Sequence, residues 1–371
     1  MAVESRMSNH RWTSNDSLQE LSSLARAAGA DVVGMFVQKL NAPSATHYIG
    51  RGKIAELVNC KQEAQYNTVI FDDELSPRQQ RNLEELLQVK VIDRTALILD
   101  TFARQARTHE GRLQVELAQH QYLLPRLVGQ WKHLERLGAG IGTRGPGESQ
   151  LETDRRLIRN RINRLKDELE NVRRHRALYR KRRKERAVPI VALVGYTNAG
   201  KSALFNALSK AQVIVEDKLF STLDPVTRCL TLPNGRQFLI TDTVGFIHKL
   251  PLSIVVSFRA TLEELSEADL LLHVVDISHE TAANQCRTVM EIIAELHLEH
   301  TPRITVFNKL DLTLNSEVEL EALTTIPYLG EQIVVPDGKI ALISATKGWG
   351  MGQLRDRITS HLDNTLMQGE H

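Results

Sequence analysis

Eight consecutive residues, Gly195-Tyr196-Thr197-Asn198-Ala199-Gly200-Lys201-Ser202, have the make-up of a loop that wraps a phosphate. Glycines let the backbone curl so that several N–H groups converge on one anion. The apolar run 188–194 leads in as a buried strand, and 203–208 leads out as a helix. The helix N-terminus adds its partial positive charge. In that setting Lys201 reaches the β- and γ-phosphates and Ser202 offers a hydroxyl to Mg²⁺.

The remaining parts of a guanine nucleotide site follow in chain order. Asp242-Thr243-Val244-Gly245 closes a second apolar run, 238–241. Asp242 can hold Mg²⁺ through water, and the Gly245 N–H can approach a γ-phosphate because no side chain blocks it. Asn308-Lys309-Leu310-Asp311 ends the run 304–307 and is the expected base reader. The Asp311 carboxylate would accept the guanine N1–H and 2-amino hydrogens. Adenine has neither, so the carboxylate would be desolvated without partners. Ser344-Ala345-Thr346 follows the run 340–343 and would support the base from its far side. Phe220-Ser221-Thr222-Leu223-Asp224 lies where a switch segment belongs, with Thr222 as second Mg²⁺ ligand. Phe246 stands where many nucleotide hydrolases carry a glutamine that orients water. Phenylalanine cannot do this, so it either packs or leaves the task to another group. Lys201, Thr222, Gly245 and Asn198 are the expected catalytic residues.

These strings resemble the HflX family, close to the Obg-type translational GTPases. The resemblance continues upstream through 108–119 (Thr108-His109-Glu110-Gly111-Arg112), through Gly142-Thr143-Arg144-Gly145-Pro146-Gly147-Glu148 and through Asp154-Arg155-Arg156. It covers about 29–362. It implies a GTPase that binds the large ribosomal subunit and dissociates stalled or idle ribosomes under stress. It also implies that a loop carrying Thr143, Arg144 and Glu148 reaches toward the peptidyl-transferase region. Asn198 matches an asparagine that some related GTPases use to hold K⁺ beside the phosphates. Pinning the loop by a hydrogen bond explains it equally well. A competing reading makes the protein a switch for a protein or RNA-processing partner, with the helical arm as the docking element.

The resemblance has gaps. A first strand is hard to find in the polar stretch 1–16, so the N-terminal sheet is expected to lack an edge strand. Some relatives carry a further C-terminal domain, whereas this sequence stops at His371.

Composition suits a soluble cytoplasmic protein, with peripheral membrane association as a second option. The apolar fraction is 42%. Cys60, Cys229 and Cys286 lack metal-ligand spacing, and no apolar stretch approaches a membrane span. Net charge is only +2, so affinity for nucleic acid must come from where the charges sit.

Three elements must position these residues: an N-terminal α/β subdomain (1–107), a helical hairpin (108–186) and a Ras-like α/β G domain (187–365), followed by a tail (366–371). Leu113, Leu117, Leu124, Leu127, Trp131 and Leu134 form one heptad seam. Leu151, Ile158, Ile162, Leu165, Leu169 and Val172 form another. The first arm would run ~33 Å, with Pro125 kinking it. The glycine-rich stretch 138–147 joins the arms, as a linker or as an RNA-inserting tip. The segment 155–186 is dense in arginine and lysine, either a solvated face or an RNA contact. In the N-terminal part, strands are expected at 32–37, 69–71 and 89–92, and helices at 53–63 and 77–87. Tyr48-Ile49-Gly50-Arg51-Gly52-Lys53 is read as packing, and Asp72 and Asp73 as solvated strand-end residues. A monomer is expected.

Overall fold

The structure is a computed structural model describing residues 1–5, 12–127, 150–184, 188–209, 219–220, 222–232, 234–251, 254, 265–323, 325–328, 331–334 and 338–367. Ser221, Thr143, Arg144, Glu148 and the loop 138–147 lie outside them, as do the side chains of 177–184. The chain divides into two compact units. One holds Met1–Arg104, His109–Val172 and Pro251–Ser257; the other holds Gln105–Thr108, Arg173–Leu250 and Phe258–His371.

The first unit runs β1 (Ala2–Ser5), α1 (Ser14–Ala27), β2 (Val37–Leu40), α2 (Arg51–Ala64), β3 (Thr68–Phe71), α3 (Pro77–Leu87), β4 (Lys90–Asp93), α4 (Arg94–Gln105), α5 (His109–Leu123) and α6 (Gln150–Lys184). The ends of α4 and α6 pass into the second unit. β1 pairs parallel with β2, and β3 parallel with β4. The edge strand expected to be missing is therefore present at Ala2–Ser5. Four residues are too few to show a hydrophobic period, yet Met1 and Ala2 are buried. The strand expected at 32–37 begins only at Val37. α3 starts as its sequence dictates: Pro77 occupies the first turn, and Ser76 and Gln79 form a reciprocal capping box. Tyr48 and Ile49 are buried just before α2, as packing requires.

Asp72 is not solvated. It is 1% exposed, accepts Ser17 Oγ at 2.7 Å and pairs with Arg94 at 2.6 Å. Arg94 also pairs with Glu20. A buried carboxylate at a strand end needs such a partner. Its partner is a whole helix away, which hides the pairing from local reading.

α5 and α6 pack through Leu113, Leu117, Ile162 and Leu165, flanked by Leu124, Ile158 and Leu169. These are the heptad positions. Arg161 holds Glu116 by two hydrogen bonds of 2.7 and 2.8 Å. Pro125 does more than kink the arm: α5 ends at Leu123 and a 3₁₀ turn, Leu124–Arg126, carries the proline. At 35 residues α6 is ~52 Å long.

The second unit runs β5 (Ile190–Gly195), α7 (Lys201–Ser209), β6 (Val226–Thr231), β7 (Gln237–Asp242), β8 (Leu270–Asp276), α8 (Ala282–Glu295), β9 (Arg303–Asn308), α9 (Glu317–Glu321), β10 (Thr325–Tyr328), β11 (Glu331–Val334), β12 (Ile340–Leu342) and α10 (Met351–Met367). A six-stranded sheet has the order β12-β9-β8-β5-β7-β6, parallel except for the β6–β7 pair. β8 is buried along its whole length, as a central parallel strand should be. Gly195, Asp242, Asp276 and Asn308 each end a strand at its carboxyl side. Open parallel sheets bind ligands at that edge.

Candidate nucleotide site

The loop from Gly195 to Ser202 joins β5 to α7, and its residues Thr197, Asn198, Gly200, Lys201 and Ser202 line a cleft with Phe220, Thr222, Thr243 and Gly245. Gly200 has a φ of +90°, and a Cβ there would stand 2.2 Å from Asn308 Nδ2. The loop therefore closes onto Asn308 only because position 200 is glycine. Asn308 clamps two segments: its Nδ2 donates to the Ala199 carbonyl at 3.0 Å, and its Oδ1 accepts the Ala345 N–H at 3.0 Å. Asn198 sits in the left-handed region with φ +62°, which asparagine tolerates better than most residues.

Lys201 is buried and donates to the carbonyls of Tyr196 at 2.8 Å and Gly195 at 3.3 Å. Burial pushes its pKa down to about 8, against the pull of Asp242. Nearby, Ser202 Oγ donates to Asp242 Oδ2 at 2.7 Å, and Thr222 Oγ1 donates to the same oxygen at 3.1 Å. The two hydroxyls are 2.8 Å apart. The three expected metal ligands thus converge from three elements. The other carboxylate oxygen, Asp242 Oδ1, is buried without a protein partner, and so is Thr197 Oγ1. One carboxylate and two hydroxyls, with polar capacity left over, suit a small hard cation that keeps several waters. The residues present therefore fit Mg²⁺. Desolvation raises the Asp242 pKa, and a bound cation would oppose that.

Asp311 lies in a 3₁₀ turn after β9. Ser344 Oγ donates to one of its oxygens at 2.6 Å and Thr346 Oγ1 to the other at 3.3 Å. The motif after β12 thus orients the carboxylate expected to read the base. Leu310 is buried, and its N–H meets the Ile343 carbonyl at 3.3 Å. Lys309 has a left-handed φ of +64° and pairs with Asp276 at 2.8 Å.

Phe246 is 2% exposed. It packs and cannot orient water. Phe220, Leu223 and Val244 are likewise buried, so they shape the site from behind, and Thr243 Oγ1 donates to the Leu193 carbonyl at 2.6 Å. Asp224 holds backbone: its carboxylate accepts the N–H groups of Arg107 and Thr108 at 2.7 and 2.8 Å.

Sequence reading missed Asp276, the partners of Asp224 and the hydrogen bond that the His248 N–H donates to the Tyr196 hydroxyl. It also missed His273, buried in β8, whose pKa falls to about 3 through burial. A run of Asp276 followed by Ser278 at a strand end was the one local signal available for Asp276.

Residues 15–103 match the family described as GTP-binding GTPase N-terminal, 105–183 that described as GTP-binding GTPase Middle Region, and 190–309 that described as 50S ribosome-binding GTPase. GTPase HflX of Caldanaerobacter subterraneus subsp. tengcongensis is 54% identical over 80% of this chain and 69% of its own length. GTPase HflX of Escherichia coli K12 is 42% identical over 95% of this chain and 80% of its own. A solved GTP-binding protein from Sulfolobus solfataricus in complex with GDP is 25% identical, with a TM-score of 0.48, over 98% of both chains.

Proposed function

This chain belongs to the HflX family of GTPases, and from that premise we propose that its GTP hydrolysis drives association with, and splitting of, ribosomes through the large subunit. One observation carries the nucleotide part of this reading: Ser202, Thr222 and Asp242 converge beside a buried phosphate-loop lysine. Hydrolysis is an in-line attack of water on the γ-phosphorus. Lys201 and the loop N–H groups stabilise charge that develops on the phosphoryl oxygens. Ser202 and Thr222 would hold Mg²⁺, with Asp242 acting through water, and the ion would neutralise charge on the β- and γ-oxygens. Gly245 offers its N–H to the γ-phosphate. Asp311, set by Ser344 and Thr346, reads guanine. K⁺ beside Asn198 is a further candidate source of positive charge in a site without glutamine.

The ribosome part rests on the family and on α6. Arg156, Arg159, Arg164, Lys166, Arg173 and Arg174 are exposed along it, and the basic run 180–184 follows. A face of this kind suits RNA phosphates. In this reading the hairpin, 108–186, is the ribosome-directed part, and Thr143, Arg144 and Glu148 belong to the loop that would enter RNA. The protein acts in the cytoplasm as a monomer. No helix among the described residues is long and apolar enough to cross a membrane.

The test is sedimentation with isolated large subunits. Binding should be stronger with a non-hydrolysable GTP analogue than with GDP and should weaken steeply with salt. Charge reversal across 180–184 should flatten that salt dependence. Replacing 138–147 by a short Gly/Ser turn should spare nucleotide binding and abolish splitting, followed by light scattering of intact ribosomes. Full splitting by that variant would reduce the tip to a linker.

A further inference from the structure

The segment that replaces a glutamine-bearing switch is fastened to the phosphate loop at Phe246 and at His248, and the Tyr196 side chain makes the second attachment. The Thr197 N–H donates to the Phe246 carbonyl at 2.7 Å, and the Phe246 N–H donates to the Gly195 carbonyl at 3.1 Å. Tyr196 and Phe246 thereby form a parallel bridge that prolongs the β5–β7 pairing into the site. Two residues further on, the His248 N–H donates to the Tyr196 hydroxyl at 2.7 Å. The Tyr196 carbonyl receives Lys201 Nζ at 2.8 Å. Tyr196 is 4% exposed; its bond to Lys201 is buried and its bond to the His248 N–H half-buried.

Immediately before Phe246 lies Gly245. A Cβ there would stand 2.8 Å from Thr197 Cα and 2.9 Å from Lys201 Nζ. The Gly245 backbone therefore rests directly on the phosphate loop, at a spacing that tolerates no side chain. Phe246 and Ile247 turn into the core, at 2% and 0% exposure. Neither can order water, so Gly245 to Ile247 can act on the reacting phosphate only through backbone groups. Backbone donors act in catalysis only when held in place before charge develops.

We propose that the Tyr196 hydroxyl is a positioning residue for hydrolysis. It holds the backbone from Gly245 to His248 in the register that presents the Gly245 N–H to the γ-phosphate. This rests on the reading of 195–202 as the phosphate loop. The phenol makes no claim on the base or on the α- and β-phosphates, so GDP binding does not depend on it. States that carry a γ-phosphate, or its planar mimic, do.

Tyr196→Phe tests this, because it removes one oxygen and keeps the buried ring. Turnover, GDP affinity, affinity for GDP with aluminium fluoride, and melting temperature are measured together on the full chain. The expected result is a fall in kcat and in aluminium-fluoride complex affinity of about tenfold, the size of one lost hydrogen bond. GDP affinity should stay within about twofold, less than a lost bond of that kind would cost. Unchanged kcat with a lowered melting temperature would show a purely structural tyrosine and overturn the proposal. An equal loss of GDP affinity would overturn it too, by making Tyr196 a shaper of the loop itself. If the parent protein bound neither GDP nor GTP, the phosphate-loop reading would fall and this inference with it.

Discussion

Asp224 grips Thr108 across 116 residues of sequence: its carboxylate accepts the Thr108 N–H at 2.8 Å and the Thr108 hydroxyl at 2.5 Å. Thr108 is the last residue before α5, and Asp224 lies two residues beyond Thr222. The segment that carries Thr222, an expected metal ligand, thus also holds the stretch of chain that leads into α5. Asp224→Ala should raise hydrogen exchange at the Arg107 and Thr108 amides by roughly tenfold, since charge-assisted bonds to both are lost. In the parent, exchange there should be slower with a GTP analogue than with GDP. If exchange at both amides were indifferent to Asp224→Ala, the contact would not constrain this linker.

Base selection gives a second prediction. Asp311→Asn removes the acceptor that guanine needs and supplies a donor that suits the 2-oxo group of xanthine. GTP affinity should fall at least about tenfold, and xanthine nucleotide should bind in its place. Fluorescence titration with both nucleotides decides it. Parent-like GTP binding by a folded variant would remove Asp311 from the base site.

The third concerns K⁺. Because Asn198 has a left-handed φ of +62°, Asn198→Ala would strain the loop as well as delete the amide. Asn198→Gly deletes the amide and keeps the backbone. If the amide holds a cation, hydrolysis should be faster in K⁺ than in matched Na⁺ buffer, and Asn198→Gly should abolish the difference. Equal turnover of the parent in the two salts would retire the ion while leaving the GTPase intact.

A fourth follows from the lysine. In the nucleotide-free chain burial lowers Lys201 from 10.5 to about 8. Phosphates favour its charged form, so the bound pKa is higher than the free one. Nucleotide binding near pH 8 should therefore take up roughly half a proton, and affinity should weaken as pH rises above about 8. Stability of the free chain moves oppositely. Between about 8 and 10.5 the unfolded chain holds the extra proton, so stability rises with pH across that window. Titration calorimetry in buffers of different ionisation enthalpy measures the uptake; no buffer dependence would mean that Lys201 stays charged throughout.

The amino-acid sequence alone determined the chemistry that is local in the chain. Gly195 to Ser202 specifies its loop because glycine placement, strand and helix adjoin, and Asp242, Asn308 and Asp311 are legible because each ends an apolar run. The heptad leucines of α5 and α6 and the Ser76–Gln79 cap are local in the same sense. Tertiary structure alone decided the pairings between distant segments: Asp224 with Thr108, Tyr196 with His248, Asp276 with Lys309 and Asp72 with Arg94. It also placed a four-residue strand at Ala2–Ser5. The physical reason is common to these cases. A loop's backbone geometry is written in its own residues, whereas a hydrogen-bond partner is chosen only when packing of the sheet brings two strand ends within about 3 Å.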